Sequence, residues 1–472
     1  MAVPKPSGRR AQATIDRHGG WPQSAASCQE RAAINILALY SSGSRPPAKL
    51  TRVHQGAGQE RQGQLEPVIF SSPIPLRAGL LLSLFVGCAA WADEPPAPSV
   101  PANSQFSQFL SSYNLTVSGY VDASYLALLP SNGGVVEQLT YHEFGADSNS
   151  LALTQASLTV ASQPASGFGA LVDLMAGRDV EYLPARLGDQ FALEQAFAQY
   201  AAGTWTFQGG KFVTLAGAED IAPTGNSNTS RSLLYFAEPL THTGVRITDA
   251  ISSKFTVILG LNNGWTKCDR DSDSFACGSA TTGELAAIFT PDKKLSLSLQ
   301  GYYGPESFTP SGSNLGEVRS NRTLLDGIAT YNASSALTLM ANLDYGSQAN
   351  FDGNDHTASY LGAALYLNFA FNDRWRASLR GEYVDDRDSH FFIIAVDPLS
   401  CTDVQGAEQC RYRWNRVSEE TLTVAYDPAK HFELRLEGRL DAASNRIFTS
   451  GSSTLRDTQS TISIEALYSF GS

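Results

Sequence analysis

From Asn114 to the C-terminus, apolar and polar residues alternate one by one in short runs. In "NLTVSGYVDASYLALL", Leu115, Val117, Gly119, Val121, Ala123 and Tyr125 fall on one face, and Thr116, Ser118, Tyr120, Asp122 and Ser124 on the other. Successive side chains of an extended strand point to opposite faces, so a period of two predicts a strand with one greasy and one polar side. "KFTVILGLNN" from Lys254, "KLSLSLQGYYG" from Lys294 and "ALTLMANLDYG" from Ala336 repeat the pattern. "DRWRASLRGEYVD" sets Trp375, Ala377, Leu379, Gly381 and Tyr383 against Arg374, Arg376, Arg380 and Glu382. In "HFELRLEGRLD", Phe432, Leu434, Leu436, Gly438 and Leu440 alternate with Glu433, Arg435, Glu437, Arg439 and Asp441.

Alternation marks about sixteen strands, with fourteen to eighteen as the range. They are expected at 114–128, 149–161, 167–176, 191–201, 204–214, 241–249, 253–262, 282–290, 294–304, 322–332, 336–347, 357–371, 373–386, 413–427, 431–442 and 458–470. The gaps between them alternate as well. Long stretches such as 129–148, 215–240 and 387–412 take turns with short ones, "QPAS", "AG", "AIS", "PDK", "ASS", "N" and "PAK". Gly203, Pro291, Asn332, Asn372-Asp373 and Asp427-Pro428 supply turn chemistry to the short gaps. A sandwich has no reason to keep that order. A chain crossing a membrane up and down, with tight turns on one side and extended loops on the other, requires it. The expected fold is all-β, a transmembrane antiparallel up-and-down β-barrel over residues 114–470.

Ahead of the strands, "LRAGLLLSLFVGCAAWADEPP" has one Arg, an apolar run and an Ala90-Trp91-Ala92 ending. The run is too short to span a bilayer as a helix, which needs about 20 residues. It fits a secretory signal at 75–92, cut after Ala92. A lipoprotein reading through Cys88 is weakened by the preceding Phe85-Val86-Gly87. Residues 1–74 show no sustained apolar period. They read as a start assigned too far upstream, with initiation near Val68 or Leu76, or as a disordered extension; the cut removes them either way. Residues 93–113 open with "DEPPAPSVPANS" and read as a periplasmic linker.

Charge follows the same division. Residues 1–92 hold ten basic and four acidic residues, and the rest 24 and 42, so the exported part carries −18. That acidity argues against nucleic acid as a partner, since phosphate neutralisation needs clustered Lys and Arg. Four of the six cysteines form two pairs at matched spacing, Cys268/Cys277 and Cys401/Cys410. In an exported chain they are expected as two local disulfides; a zinc reading lacks nearby His and C-x2-C spacing.

With these segments in view, the chain resembles the OmpL-like beta-barrel porin-2 family of bacterial outer-membrane porins, over roughly residues 114–470. "SGYVDASY", "GFGALVDLMAG", "GGKFVTLAGAE", "SRSLLYFAEPLTHTGVR", "NNGW", "LRGEYVDD", "HFELRLEGR" and the closing "EALYSF" carry the resemblance. It implies a pore for small solutes in the outer membrane of a Gram-negative-type cell and brings no catalytic residues. The Gly471-Ser472 after Phe470 departs from the usual aromatic ending.

Other motifs are weaker. "GGKFVT" lacks the earlier Gly and the Ser/Thr of a phosphate loop, with Trp205 and Phe212 in their places. It reads as a bulge at Gly209-Gly210 that turns Lys211 inward and Phe212 outward. "DRDSDSFACG" has Ser274 and Ala280 where a calcium loop needs Gly and Glu. His18, His54, His142, His242, His356, His390 and His431 show no metal spacing, so no metal or cofactor is expected.

The candidate pore-lining set is Arg374, Arg376, Arg380, Glu382, Glu433, Arg435, Glu437 and Arg439, with Lys211 and Arg246 added. Such rows either pair across the wall and stiffen it or set a field over the passage. The segment 215–240 follows the fifth strand, as does the constriction loop of general porins. It is either an outer loop packed on its neighbours or a loop folded into the lumen, where Asp220, Arg231 and Glu238 would face the passage. The expected function is passive diffusion of small polar or charged solutes, with no enzyme step; partners are outer-membrane lipid and small solutes, and a homotrimer is left open. The rivals are an adhesin or receptor working through its surface loops and, behind it, a barrel-type lipid hydrolase.

Overall fold

The computed structural model describes residues 105–471, apart from 130–138, 140, 146, 184–189, 266–280, 309–317, 351–355, 388–400, 405–406, 411–414 and 451–453. The extension 1–74, the signal segment 75–92, most of the linker, and Cys268 and Cys277 lie outside the described residues. The end of the linker is not coil. Gln105–Ser112, "QFSQFLSS", has no Gly or Pro and forms helix α1, which leads through Asn114 (φ 52°) into the first strand.

The strands are β1 Thr116–Leu129, β2 Ser150–Ser162, β3 Gly167–Ala176, β4 Phe191–Ala202, β5 Trp205–Val213, β6 Thr241–Ser252, β7 Phe255–Asn262, β8 Thr282–Phe289, β9 Leu295–Phe308, β10 Val318–Asn332, β11 Leu337–Gln348, β12 Ala358–Ala370 and β13 Trp375–Asp386. A small ribbon follows, β14 Cys401–Val404 with β15 Ala407–Cys410. Next come β16 Asn415–Ala429 and β17 Phe432–Ala443, a second ribbon of β18 Phe448–Ser450 with β19 Thr454–Arg456, and β20 Thr458–Gly471. Without the two ribbons, sixteen strands pair antiparallel in chain order, and β1 closes on β20 with Ser118 opposite Gly471. All sixteen expected strands are present. The largest difference is the β9–β10 hairpin, which runs four residues further on each arm than the alternation signalled.

The short turns are held by their own side chains. Asn372 Oδ1 accepts from the Arg374 and Trp375 amides at 2.9 and 3.0 Å, and Asp292 Oδ1 from Lys294 and Leu295 at 2.7 and 3.1 Å. Outward positions are greasy: Phe168 is 83% exposed, Leu151 77% and Leu299 62%. Aromatic residues mark the edges of this belt. Trp375 stacks on Tyr426 near the short turns, and Tyr125, Tyr303, Tyr345 and Tyr383 stand near the long loops. Glu420 breaks the pattern. It is exposed on the outer face of β16, opposite Gly381 on one side and Leu440 on the other.

Two expectations are corrected. Arg374 stands in the turn before β13, exposed, and not in the strand. Phe212 is not outward: it is 1% exposed, with the Arg246 guanidinium 4.0 Å over its ring. Lys211 is buried beside it at 6%. Pairing runs through Gly209-Gly210 on both sides without a register shift, and the local turn of the chain comes from Gly210 at φ 138°, which L side chains rarely adopt.

Candidate functional site

The segment between β5 and β6 crosses the barrel interior. It starts at Thr214, beside β6, yet its polar groups meet strands far round the wall. The Tyr302 hydroxyl on β9 accepts from the Leu215 amide at 2.8 Å, and Asp326 on β10 accepts from Gly217 at 2.7 Å. On β13 Glu382 accepts from the Leu233 amide at 2.7 Å. Asn228 donates to Thr423 on β16 at 2.7 Å, and the Thr229 and Ser230 amides donate to Glu437 on β17 at 2.7 and 2.9 Å. A segment rooted at β5 that reaches β13, β16 and β17 lies within the lumen.

Arg380 is the main anchor. It is fully buried, and its guanidinium meets Glu219 of the segment at 2.6 Å and the wall acids Glu382 at 2.9 Å and Glu419 at 3.1 Å. It also donates to the Ser230 carbonyl at 2.7 Å. Arg435 donates to the carbonyls of Asn226 and Pro223 at 2.9 and 3.1 Å and pairs with Glu433 and Glu465 at 2.5 and 3.0 Å. Arg439 donates to the Arg231 carbonyl at 2.6 Å and pairs with Asp441 at 2.7 Å. A guanidinium offers five donors in a fixed fork, which suits the simultaneous capture of carboxylates and loop carbonyls.

The segment also brings its own packing. Pro223–Gly225 forms a 3-10 turn and Leu233–Ala237 a short helix, α2, whose N-cap Ser232 accepts from Tyr235 at 3.0 Å. Leu233 and Leu234 pack into an inward cluster with Tyr302, Leu324, Tyr360 and Tyr366 of the wall. Tyr235 packs with Phe144, Met175 and Val180 on the other side. The upper interior is therefore partly apolar, which a polar lumen does not call for.

The expected lining residues separate by position. Arg380, Glu382, Arg435, Glu437 and Arg439 are buried inside, under the segment. Arg246, also buried, pairs with Glu284 at 2.7 Å, and Lys211 donates to Thr241 at 2.5 Å. Arg376 is half-exposed near the short-turn rim, where it pairs with Glu433 and, at 3.4 Å, with Asp427. Of the three segment residues, only Asp220 is exposed. Arg231 is 2% exposed; it donates to the carbonyls of Asp220, Thr229 and Ile221 and stacks on Phe144 and Tyr235. Glu238 is buried against Asp326 and Asp344. On the long loops, burial pushes Asp179 up to about 6, against the amides of Gly145 and Gln155 that hydrogen-bond it. Burial, with Arg439 nearby, moves His142 down.

The wall acids Glu284, Asp326, Asp344 and Glu419 and the inward tyrosines escaped the sequence reading. Their inward parity was visible, but the apolar inner face of β12, "ASYLGAALYLNFA", removes the alternation that would have marked Tyr360 and Tyr366 as interior contacts.

A sixteen-stranded closed barrel with a greasy outside, a charged inner wall and an inward segment defines an outer-membrane pore protein. The family model for beta-barrel porin-2, OmpL-like, matches residues 114–470, and the chain belongs to that family. It is a porin of the Gram-negative outer membrane. No curated protein matches the chain. Among solved structures, Pseudomonas putida OprB at high pH is similar in fold, with TM-score 0.50 and 11% identity over 78% of this chain and 96% of that one. An anion-selective porin from Comamonas acidovorans gives TM-score 0.49 at 11% identity, covering 75% and 99%. Vibrio cholerae OmpT in a trimer form gives the same figures.

Proposed function

We propose that this porin passes small polar or charged solutes by passive diffusion, without a chemical step, through a lumen narrowed by residues 214–240. The observation that carries this reading is the anchoring of that segment on the far wall by Arg380, Arg435 and Arg439. Under this reading the inward rows mainly position the segment, and the groups left in contact with solute are its exposed ones, Asp220, Thr224 and Ser227. Half-exposed neutral residues of the short-turn half, among them Thr206, Gln208, Thr248 and Ser298, line the wider part. About sixteen strands enclose room for an aqueous channel.

Planar-bilayer recording under salt gradients tests the proposal. Stepwise, weakly voltage-dependent conductance supports it. Folded protein that inserts and stays silent favours the receptor reading. A homotrimer remains a proposal, for which Glu420 on the greasy belt is the motivating residue; a chemical cross-linking ladder that stops at the single-chain mass refutes it.

A further inference from the structure

Several acids of the inner wall have a guanidinium partner: Glu284 has Arg246, Glu419 has Arg380, Glu465 has Arg435 and Asp441 has Arg439. Asp326 on β10 and Asp344 on β11 are different. They face each other across paired strands at 0% and 1% exposure, and amides are their partners. Asp326 accepts from Gly217 at 2.7 Å, Gln300 at 2.5 Å and Asn342 at 2.8 Å, and Asp344 accepts from Asn342 at 2.9 Å. N–H donors favour ionised carboxylates while adding no positive charge.

A third carboxylate is aimed at this pair from the inward segment. Glu238 is 7% exposed, and its Oε1, like Asp344 Oδ2, has no hydrogen-bond partner among the described residues. One oxygen from each of Glu238, Asp326 and Asp344 lies within 4.8 Å of the others. The chain makes room for this approach. Gly217 (φ 91°) carries no side chain, and a Cβ there would stand 1.9 Å from Glu238 Oε2. A buried polar group without a partner is costly, and three carboxylates this close need a proton or a cation between them.

We propose that Glu238, Asp326 and Asp344 hold a divalent cation of the calcium class, which ties the end of the inward segment to β10 and β11. Ca²⁺ takes oxygen ligands at about 2.3–2.6 Å, so two oxygens on one ion stand no more than about 5.2 Å apart, a limit the three carboxylates meet. Mg²⁺ demands a tighter octahedron. None of the three residues has a sequence spacing that signals a metal, because they are brought together from one loop and two strands. The inference rests on this geometry and not on which solute the porin passes.

The test is calorimetric titration of Ca²⁺ into EDTA-treated, folded protein. One saturable site is expected, in the range of about 10⁻⁴–10⁻³ M found for extracellular calcium modules. It should vanish in Glu238→Gln and in Asp344→Asn, and persist in Asp292→Asn, which alters an exposed turn. Unchanged binding in the first two variants overturns the proposal, as does wild-type protein that takes up no Ca²⁺ at millimolar concentration. If either variant fails to fold, crystals of the wild type soaked in Mn²⁺ decide the matter. An anomalous-scattering peak among the three carboxylates supports the site, and its absence there overturns it.

Discussion

Arg380→Met removes the one cation that three buried carboxylates share. Glu219, Glu382 and Glu419 stand 2.6, 2.9 and 3.1 Å from the guanidinium, and all are largely out of water. Taking one partner from a buried ion pair typically costs about 3–5 kcal/mol, because the opposite charge is left uncompensated. At about 1.36 kcal/mol per power of ten, docking of the inward segment should weaken by roughly two to nearly four powers of ten. The barrel should survive, since β13 keeps its full ladders with β12 and β16. Two assays separate these effects. Mobility of unheated protein on a gel reports the barrel and should not change. Trypsin should now cut after Arg231, which is 2% exposed in the parent structure, and single-channel conductance should rise. Adding Glu382→Gln should restore part of the protection by removing one unpaired charge. Wild-type conductance together with wild-type resistance to trypsin would refute the reasoning. The apolar seat of Leu233 and Leu234 would then suffice to hold the segment.

Four further outcomes are expected. Asp220→Lys should move the permeability ratio toward anions; an unchanged ratio would place Asp220 away from the passage. Leu379→Arg puts a charge on the lipid face and should impair assembly, at about 2–4 kcal/mol near the midplane; a variant that assembles like the parent would place Leu379 away from lipid. Cys401 and Cys410 stand directly opposite in the β14–β15 ribbon and should be oxidised to each other, with about 2–3 kcal/mol at most from so small a ring; peptide mapping that finds free thiols refutes this. N-terminal sequencing of outer-membrane protein should begin at Asp93, and peptides from residues 1–74 would contradict the proposed cut.

The barrel was legible because membrane and water impose a period of two on every strand. Phe432 to Asp441 and Trp375 to Tyr383 state both faces outright, and the long-short order of the gaps gives the up-and-down topology. Legibility fell where a strand stops meeting two different solvents. In β9 and β10 the extra residues lie beyond the greasy belt, so nothing in "PESF" or "VRSN" obliges alternation. At Gly209-Gly210 the sequence announces an irregularity without saying which way the next side chains turn; Lys211 and Phe212 both end up buried. Helix α1 was hidden behind the Pro-rich stretch that precedes it.

The site was legible only by parity. Alternation places Arg380, Arg435 and Arg439 inside, but it cannot say whether water or protein meets them there. Their loop partners lie roughly 150–210 residues away, at Ser230, Asn226 and Arg231. No local pattern encodes such contacts. The chemistry of the segment does leave a trace. "GNSNTSRS" is unusually rich in backbone and amide donors and acceptors for its length, and a run of this kind can satisfy charges on a wall without carrying many of its own. That consideration also orders the two roles first offered for the inward rows. An arginine that donates to two carboxylates and two carbonyls is fixed, and its field on a passing ion is largely cancelled within a few ångströms. Charge that steers solute must come from groups still facing water. On the inward segment that leaves Asp220, and of the basic row first considered it leaves Arg376 and Arg374 at the short-turn rim. The charged rows most visible in the sequence thus act on permeation chiefly through the segment they hold in place.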